Sequence, residues 1–151
     1  MMMISMLVNI LITILVFIFM EFFAWFAHKY IMHGFLWSIH KDHHKKHGSS
    51  WFERNDLFFI YYALVSFGFI VLWGEFNFWA GLPIAIGIFL YGLCYFIVHD
   101  IFIHQRFKLF RNIDNKYARG IRRAHKVHHK NINKNNGECF GMLWVPKKYF
   151  K

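Results

Sequence analysis

Two copies of one histidine pattern run through this chain, and any fold it adopts must find a place for both. His28 and His33 are spaced His-x4-His, and His40, His43 and His44 follow as His-x2-His-His. The second copy is His99 and His104, then His125, His128 and His129. Their neighbours repeat as well: His40-Lys41-Asp42-His43-His44-Lys45 and His125-Lys126-Val127-His128-His129-Lys130 differ at one position. Of 11 histidines, only His47 stands outside the pattern. Neutral imidazole is the commonest metal donor near pH 7, and ten donors in two matched sets point to more than one ion. Tracts that bind metal loosely are contiguous. These four clusters are spread from residue 28 to residue 129 with strict spacing.

The rest of the chain places this chemistry at a membrane. Hydrophobic residues make up 57% of it and the mean hydropathy is +0.29, yet the net charge is +10. A soluble domain rarely combines these values; segregated charge reconciles them. No Lys or Arg precedes Lys29, and the other basic residues lie at 41–54 and 106–151. Three apolar stretches, 4–27, 57–73 and 76–98, read as spans. About 20 apolar residues cross a bilayer, so the first and third qualify and the second, at 17 residues, sits near the lower limit. Met1 to Leu7 carries no basic residue, and no small-residue cleavage pattern precedes His28. A secretory leader would need both, so the first stretch is expected to be a retained anchor.

The loop between the second and third stretches, Gly74-Glu75, has no positive charge, whereas segments 28–56 and 99–151 hold all 18 Lys and Arg. The positive-inside rule then puts the N-terminus outside and both basic segments in the cytoplasm. All four histidine clusters fall on that same side. From Phe107, apolar residues recur at Phe110, Ile113, Tyr117 and Ile121, with Lys108, Arg111, Lys116, Arg119, Arg122 and Arg123 between them. This spacing predicts an amphipathic basic helix lying in the membrane interface. A basic face beside hydrophobic spans suits anionic lipid headgroups better than nucleic acid. Pro83, beside Gly81, is expected to kink the third span, and 131–136 reads as a loop. Cys94 and Cys139 fit no metal or redox spacing and are expected to be reduced and structural. The fold class is all-α: an integral membrane protein of about three transmembrane helices with a histidine-rich helical cap on the cytoplasmic side, forming one domain over 1–151.

Helical geometry constrains the donors further. Positions i, i+3 and i+4 share a face, so His40, His43 and His44 can converge, as can His125, His128 and His129. Five residues advance a regular α-helix by roughly 500°, leaving His28 and His33 about 140° apart. They can share a site only if the helix ends or bulges between them, or if they serve two ions. The same holds for His99 and His104. All-nitrogen ligation suits zinc, copper, iron or nickel. A zinc hydrolase uses three protein ligands and an open position, and His-Glu-x-x-His is absent. Two ions with open positions beside lipid suit oxygen activation at iron.

Glu21 lies seven residues before His28 within an apolar stretch. A carboxylate there marks a functional site, and the expected role is to orient a ligand histidine. Asp42 and Asp100, next to candidate ligands, are expected to act similarly. A membrane metal-binding or transport protein is the alternative of another class, but a transporter is expected to place its polar ligands near the bilayer midplane, not at span ends.

The histidine series resembles the membrane-bound fatty acid hydroxylase and sterol desaturase superfamily of non-haem di-iron oxygenases. Longer strings are similar to its bacterial β-carotene 3-hydroxylase branch: Ala24-Trp25-Phe26-Ala27-His28-Lys29-Tyr30-Ile31-Met32-His33-Gly34, Leu36-Trp37-Ser38-Ile39-His40-Lys41-Asp42-His43-His44, Ser50-Trp51-Phe52-Glu53-Arg54-Asn55-Asp56, Arg122-Arg123-Ala124-His125-Lys126-Val127-His128-His129 and Gly137-Glu138-Cys139-Phe140-Gly141-Met142. The resemblance covers nearly the whole chain. It implies two iron ions held by His28, His33, His40, His43, His44, His99, His104, His125, His128 and His129. It also implies hydroxylation of β-carotene at C3 of each ring, through β-cryptoxanthin to zeaxanthin; a related lipid hydroxylase or a carotenoid ketolase is the runner-up. The chain carries no Gly-x-Gly-x-x-Gly and no flavin or haem motif. Electrons are therefore expected from a separate donor, such as ferredoxin with its reductase. A basic cytoplasmic face suits an acidic donor. The location implied is the cell inner (cytoplasmic) membrane.

Overall fold

The computed structural model describes residues 2–45, 52–132 and 136–151, whose regular structure is helical with no strand among them. Five α-helices follow in order: α1 Met2–Phe26, α2 Trp37–His44, α3 Asp56–Phe76, α4 Gly81–Tyr95 and α5 Lys116–Lys130. Two π-helical stretches, Ala27–Phe35 and Phe96–Ile103, continue α1 and α4, and a short 3-10 turn, Lys147–Phe150, closes the chain. Three helical runs are long and apolar enough to cross a membrane: Met3–Phe35, Asp56–Phe76 and Gly81–Ile103. Few side chains in the first two are buried, so their Ile, Leu and Phe residues remain exposed, as lipid-facing helices require.

Several boundaries differ from the sequence reading. The second span gains a turn, because α3 extends through Gly74 and Glu75 to Phe76 and has 21 residues. Its end is set by Asn77, which takes a left-handed φ of 55°, while the Phe78 amide donates back to the Leu72 carbonyl. Asn tolerates this conformation better than most residues. The third span starts at Gly81, later than expected, and Pro83 sits in its first turn. Proline lacks only an amide hydrogen that is unsatisfied there in any case, so Pro83 starts the helix and does not kink it. The amphipathic helix expected from Phe107 begins only at Lys116. Phe110 has a left-handed φ of 58° that interrupts helical winding, and the Asn115 side chain caps the new start by accepting from the Ala118 amide at 2.8 Å. The apolar face of α5 is also not free for lipid. Ala118, Ile121 and Ala124 are buried with Phe102, Val145 and Tyr149.

The chain packs as two units. One consists of 1–20 with 56–94, the other of 21–55 with 95–151. In the first, α1 and α4 approach closely where a side chain is missing. A Cβ on Gly87 would stand 2.8 Å from Val16 Cβ and 2.9 Å from the Thr13 carbonyl oxygen. The Thr13 hydroxyl donates to the Pro83 carbonyl at 3.1 Å, and the Ser66 hydroxyl on α3 donates to the Ala85 carbonyl at 2.9 Å. In the second unit, α2 folds against the first π stretch, and α5 packs on the second π stretch and the C-terminal turn.

The Gly87 contact yields a direct test. Gly87→Val overpacks this crossing, and such changes cost about 1–3 kcal/mol. The variant is expected to unfold at lower temperature than the parent in the same detergent, measured by thermal-shift fluorescence. An unchanged midpoint would contradict the close approach.

Candidate metal centre

Both His-x4-His pairs lie in the π-helical stretches, and this solves their geometric problem. In π winding the amide of residue i+5 bonds the carbonyl of residue i, so residues five apart stack on one face. The His104 amide donates to the His99 carbonyl at 2.9 Å, and the Leu36 amide to the Ile31 carbonyl at 3.0 Å. The imidazoles that an α-helix would splay come together instead. His28 and His33 have ring centres 5.1 Å apart, and His99 and His104 4.6 Å. Of the alternatives the spacing left open, the backbone takes a local change of winding, a π turn in each case. Gly34 interrupts the first stretch (φ −102°, ψ −122°) and turns the chain into α2. Gln105, with a left-handed φ of 53°, ends the second.

The donors sort into two sets. Nitrogens of His28, His33, His40, His44 and His128 all lie within 4.8 Å of one another, as do those of His43, His99, His104 and His125. Each His-x2-His-His cluster is therefore divided between the sets and does not converge on one point. The reason is angular: i+3 and i+4 lie on opposite flanks of position i, about 100° apart. His40 and His44 face one set and His43 the other; His128 faces one and His125 the other. His129 stands between, with ring centres 4.4 Å from His44 and 4.5 Å from His125. Ten of the sequence-predicted ligands are thus gathered; His47 lies outside the described residues.

Hydrogen bonds to the outer nitrogens select the tautomer. With Nδ1 protonated, His28 donates to the Phe140 carbonyl at 2.8 Å, His33 to the Ile132 carbonyl at 2.8 Å and His128 to the Glu138 carbonyl at 3.2 Å. His40 donates to Asn55 Oδ1 at 2.6 Å, His43 to Glu53 Oε2 at 3.0 Å and His99 to Asp100 Oδ1 at 2.8 Å. Nε2 of these six rings is left as a bare lone pair facing inward. Those lone pairs face one another: His28 and His40 Nε2 are 3.0 Å apart, and His33 and His128 Nε2 3.3 Å. Nothing between two neutral lone pairs at that distance is attractive unless a cation joins them. Two imidazoles bound at about 2.1 Å, roughly at right angles around one ion, would stand about 3.0 Å apart. In the other set, buried Nε2 atoms of His43 and His99 have no hydrogen-bond partner among the described residues, nor does Nε2 of His129. Both sets fit metal ions.

The electrostatics agree. Burial pulls the His40 and His128 imidazoles down to about 3 and His129 to about 4. Burial, reinforced by neighbouring imidazoles, holds His43, His44, His104 and His125 well below the ordinary histidine value. These rings are neutral at pH 7, which is the state that binds metal.

The carboxylates divide by role. Asp100 Oδ1 accepts from His99 Nδ1 at 2.8 Å. Asp42 Oδ2 instead accepts from the Arg54 backbone amide at 2.6 Å, fixing the strand of chain that carries Glu53 and Asn55. Glu21 Oε1 accepts from the amides of Met142, Leu143 and Trp144 at 3.0, 2.8 and 2.9 Å. It therefore anchors the loop whose Phe140 carbonyl receives His28, acting one step away from the ring it was expected to touch. Gly141 makes this possible, since a Cβ there would meet Glu21 Oε1 at 3.0 Å. Glu53, Asn55 and Arg106 were missed. Arg106 bridges Glu53 at 3.3 Å and Asp100 at 3.6 Å, tying together the two acids that hold His43 and His99. Glu53 stands 10 residues after His43 and Asn55 15 after His40, spacings that carry no periodic signal.

Comparison with known proteins gives the class. The fatty acid hydroxylase family model matches residues 13–145, and the chain belongs to that family. Within it, the chain is similar to a β-carotene hydroxylase of Paracoccus sp. (strain N81106 / MBIC 01143), 38% identical over 132 residues that cover 84% of this chain and 78% of the relative. It is 41% identical to the β-carotene hydroxylase of Pantoea ananas over 128 residues, 84% of this chain and 71% of the relative. The chloroplastic β-carotene 3-hydroxylase 1 of Arabidopsis thaliana is 37% identical over 137 residues, 85% of this chain and 42% of the relative. No solved structure matches the chain.

Outer partners of metal ligands usually matter 10–100-fold in affinity. Glu53→Ala and Asn55→Ala are each expected to weaken metal retention about 10–100-fold, measured by metal content after dialysis against a graded chelator. His47→Ala should leave the content unchanged. Retention equal to the parent in both orienting variants would sink the assignment of these contacts.

Proposed function

We propose that this protein hydroxylates β-carotene at C3 of its β-ionone rings, using O2 and two external electrons at a pair of histidine-held iron ions. The observation that carries the reading is the pairing of two all-imidazole nests, each built on a π turn at the end of an apolar run, with relatives named β-carotene hydroxylases over most of the chain. His28, His33, His40, His44 and His128 would hold one iron, and His43, His99, His104 and His125 the other, with His129 in reach of both. Bound iron supplies the activation of O2, one atom of which enters the C–H bond while the other leaves as water with two protons and two electrons. The chain's own residues supply the frame. Asp100, Glu53, Asn55 and the carbonyls of Phe140, Ile132 and Glu138 keep the Nδ1 protons outward and the lone pairs inward. Burial of His40, His43, His125 and His128 keeps these rings neutral and so able to bind metal.

The substrate class follows from solubility. Carotenes dissolve only in the bilayer core, and two of the runs that could contact that core lead directly into the histidine nests. The product path is two successive ring hydroxylations, through β-cryptoxanthin to zeaxanthin. All 18 Lys and Arg lie in 28–56 and 99–151, which supports a cytoplasmic centre in the cell inner membrane. Ferredoxin with its reductase is the proposed source of electrons.

Expression in bacteria that accumulate β-carotene tests the reading. Zeaxanthin should form, with β-cryptoxanthin building up when oxygen or reductant is limiting. His28→Ala and His99→Ala, one from each set, should each abolish product. Keto products would move the assignment to a ketolase, and hydroxylated fatty acids with untouched carotene to a lipid hydroxylase. Reporter fusions at residues 45 and 120 should both report the cytoplasm; opposite sides would refute the topology.

A further inference from the structure

The exposed face of α5 carries a pattern that the metal centre does not use. Lys116, Arg119, Arg123, Lys126 and Lys130 follow at intervals of three and four residues, and all five are exposed. This spacing draws one straight stripe along the helix. No acidic residue occurs anywhere in Lys116–Lys130. The opposite side is the one that works internally: Ala118, Ile121 and Ala124 are buried in the core, and His125 and His128 are buried in the two donor sets. One helix therefore presents a basic stripe outward and metal donors inward. The separation is no more than its own thickness, about 10–12 Å.

A cavity of about 420 Å³ opens beside the stripe. It is lined by Ile103, His104, Gln105, Arg122, His125, Lys126 and His129. Three of these are donor histidines and two are cationic, so the second set is approached from this side through a basic mouth.

We propose that this face of α5 is the docking surface for an acidic electron-transfer protein, which delivers electrons through the helix to the histidine-held ions. This rests on the hydroxylase reading above, whose chemistry needs two external electrons for each ring. Anionic lipid is the other partner a basic helix can attract, but α5 is not built for it. A helix lying in the interface must sink a free apolar face among the acyl chains, and the apolar face of α5 is already buried within the protein. The segment better suited to lipid is the non-helical stretch just before it, where Leu109, Phe110 and Ile113 are exposed beside Lys108 and Arg111. The stripe itself holds charge without exposed apolar bulk apart from Tyr117 at its edge. Charge of this kind sets encounter rate and orientation more than final affinity.

The test uses the full-length, iron-loaded protein in phosphatidylcholine nanodiscs and a strongly acidic [2Fe–2S] ferredoxin as the probe. The triple variant Lys116→Glu/Arg119→Glu/Lys130→Glu touches neither the cavity nor the donor sets. Its Kd and KM for the ferredoxin should rise about tenfold or more, and the salt dependence of binding should flatten. Its turnover with dithionite and a small viologen mediator should match the parent. The neutral triple Lys116→Gln/Arg119→Gln/Lys130→Gln should fall between. Unchanged ferredoxin binding in the charge-reversed protein would overturn the proposal. So would a defect seen only when phosphatidylserine is added to the discs, which would make the stripe a lipid contact. Ferredoxin binding is read directly, so it stands or falls apart from carotene chemistry. If the parent binds ferredoxin through the stripe yet oxidises no carotene with either reductant, the substrate reading fails and the docking surface remains.

Discussion

The structure turns on a change of helical winding. An α-helix holds residues five apart on different sides, and no side-chain rotamer brings two short imidazoles around the barrel to meet. Switching to i→i+5 hydrogen bonding at Ala27–Phe35 and again at Phe96–Ile103 moves the second histidine of each pair onto the face of the first. π turns are rare and concentrate at functional sites. Here both occupy the ends of apolar runs, where helical winding can change without exposing backbone polar groups to hydrocarbon. Everything else in the site is arranged around the four rings so paired.

The second constraint is electrostatic. Imidazoles packed this closely disfavour charge on one another, and most are buried from water. The fold resolves this by proton placement. Carbonyls and carboxylates take the outer protons, leaving inward lone pairs that repel one another until cations lie between them. The arrangement is therefore costly when empty and favourable when filled, so metal binding and folding of this region should be coupled. Glu21 shows how far the support extends. Three backbone amides converge on one of its oxygens, and the loop they belong to delivers the carbonyl that orients His28.

Much of this was legible in the residues. The apolar runs gave three spans because length and hydropathy are additive properties of a stretch. The repeated spacing gave the donors because imidazole is scarce and its chemistry specific. The i+5 spacing required a helix end, a bulge or two separate ions, and π winding is what the backbone adopts. What the sequence hid was partnership across distance. Glu53 with His43, Asn55 with His40 and Arg106 with Glu53 and Asp100 depend on where loops return, and no periodicity encodes that. The division of the His-x2-His-His clusters was hidden for a related reason. A shared face is only a range of angles, and two centres set side by side can divide it, sending His40 and His44 one way and His43 the other. The stretch from Phe107 showed helical spacing of its apolar residues, but Phe110 winds left-handed and Asn115 restarts the helix. Local backbone choices overrode a pattern that was real but short.

The central claim is that each π turn builds one of two separate, all-imidazole metal sites. Anomalous diffraction at the iron edge, on iron-loaded protein crystallised from lipid, measures this directly. Two resolved peaks are predicted. One should be ringed by Nε2 atoms of His28, His33, His40, His44 and His128, and the other by those of His43, His99, His104 and His125, with His129 beside both. A single peak, or two peaks whose ligands follow the sequence clusters so that His40, His43 and His44 share one ion, would contradict it.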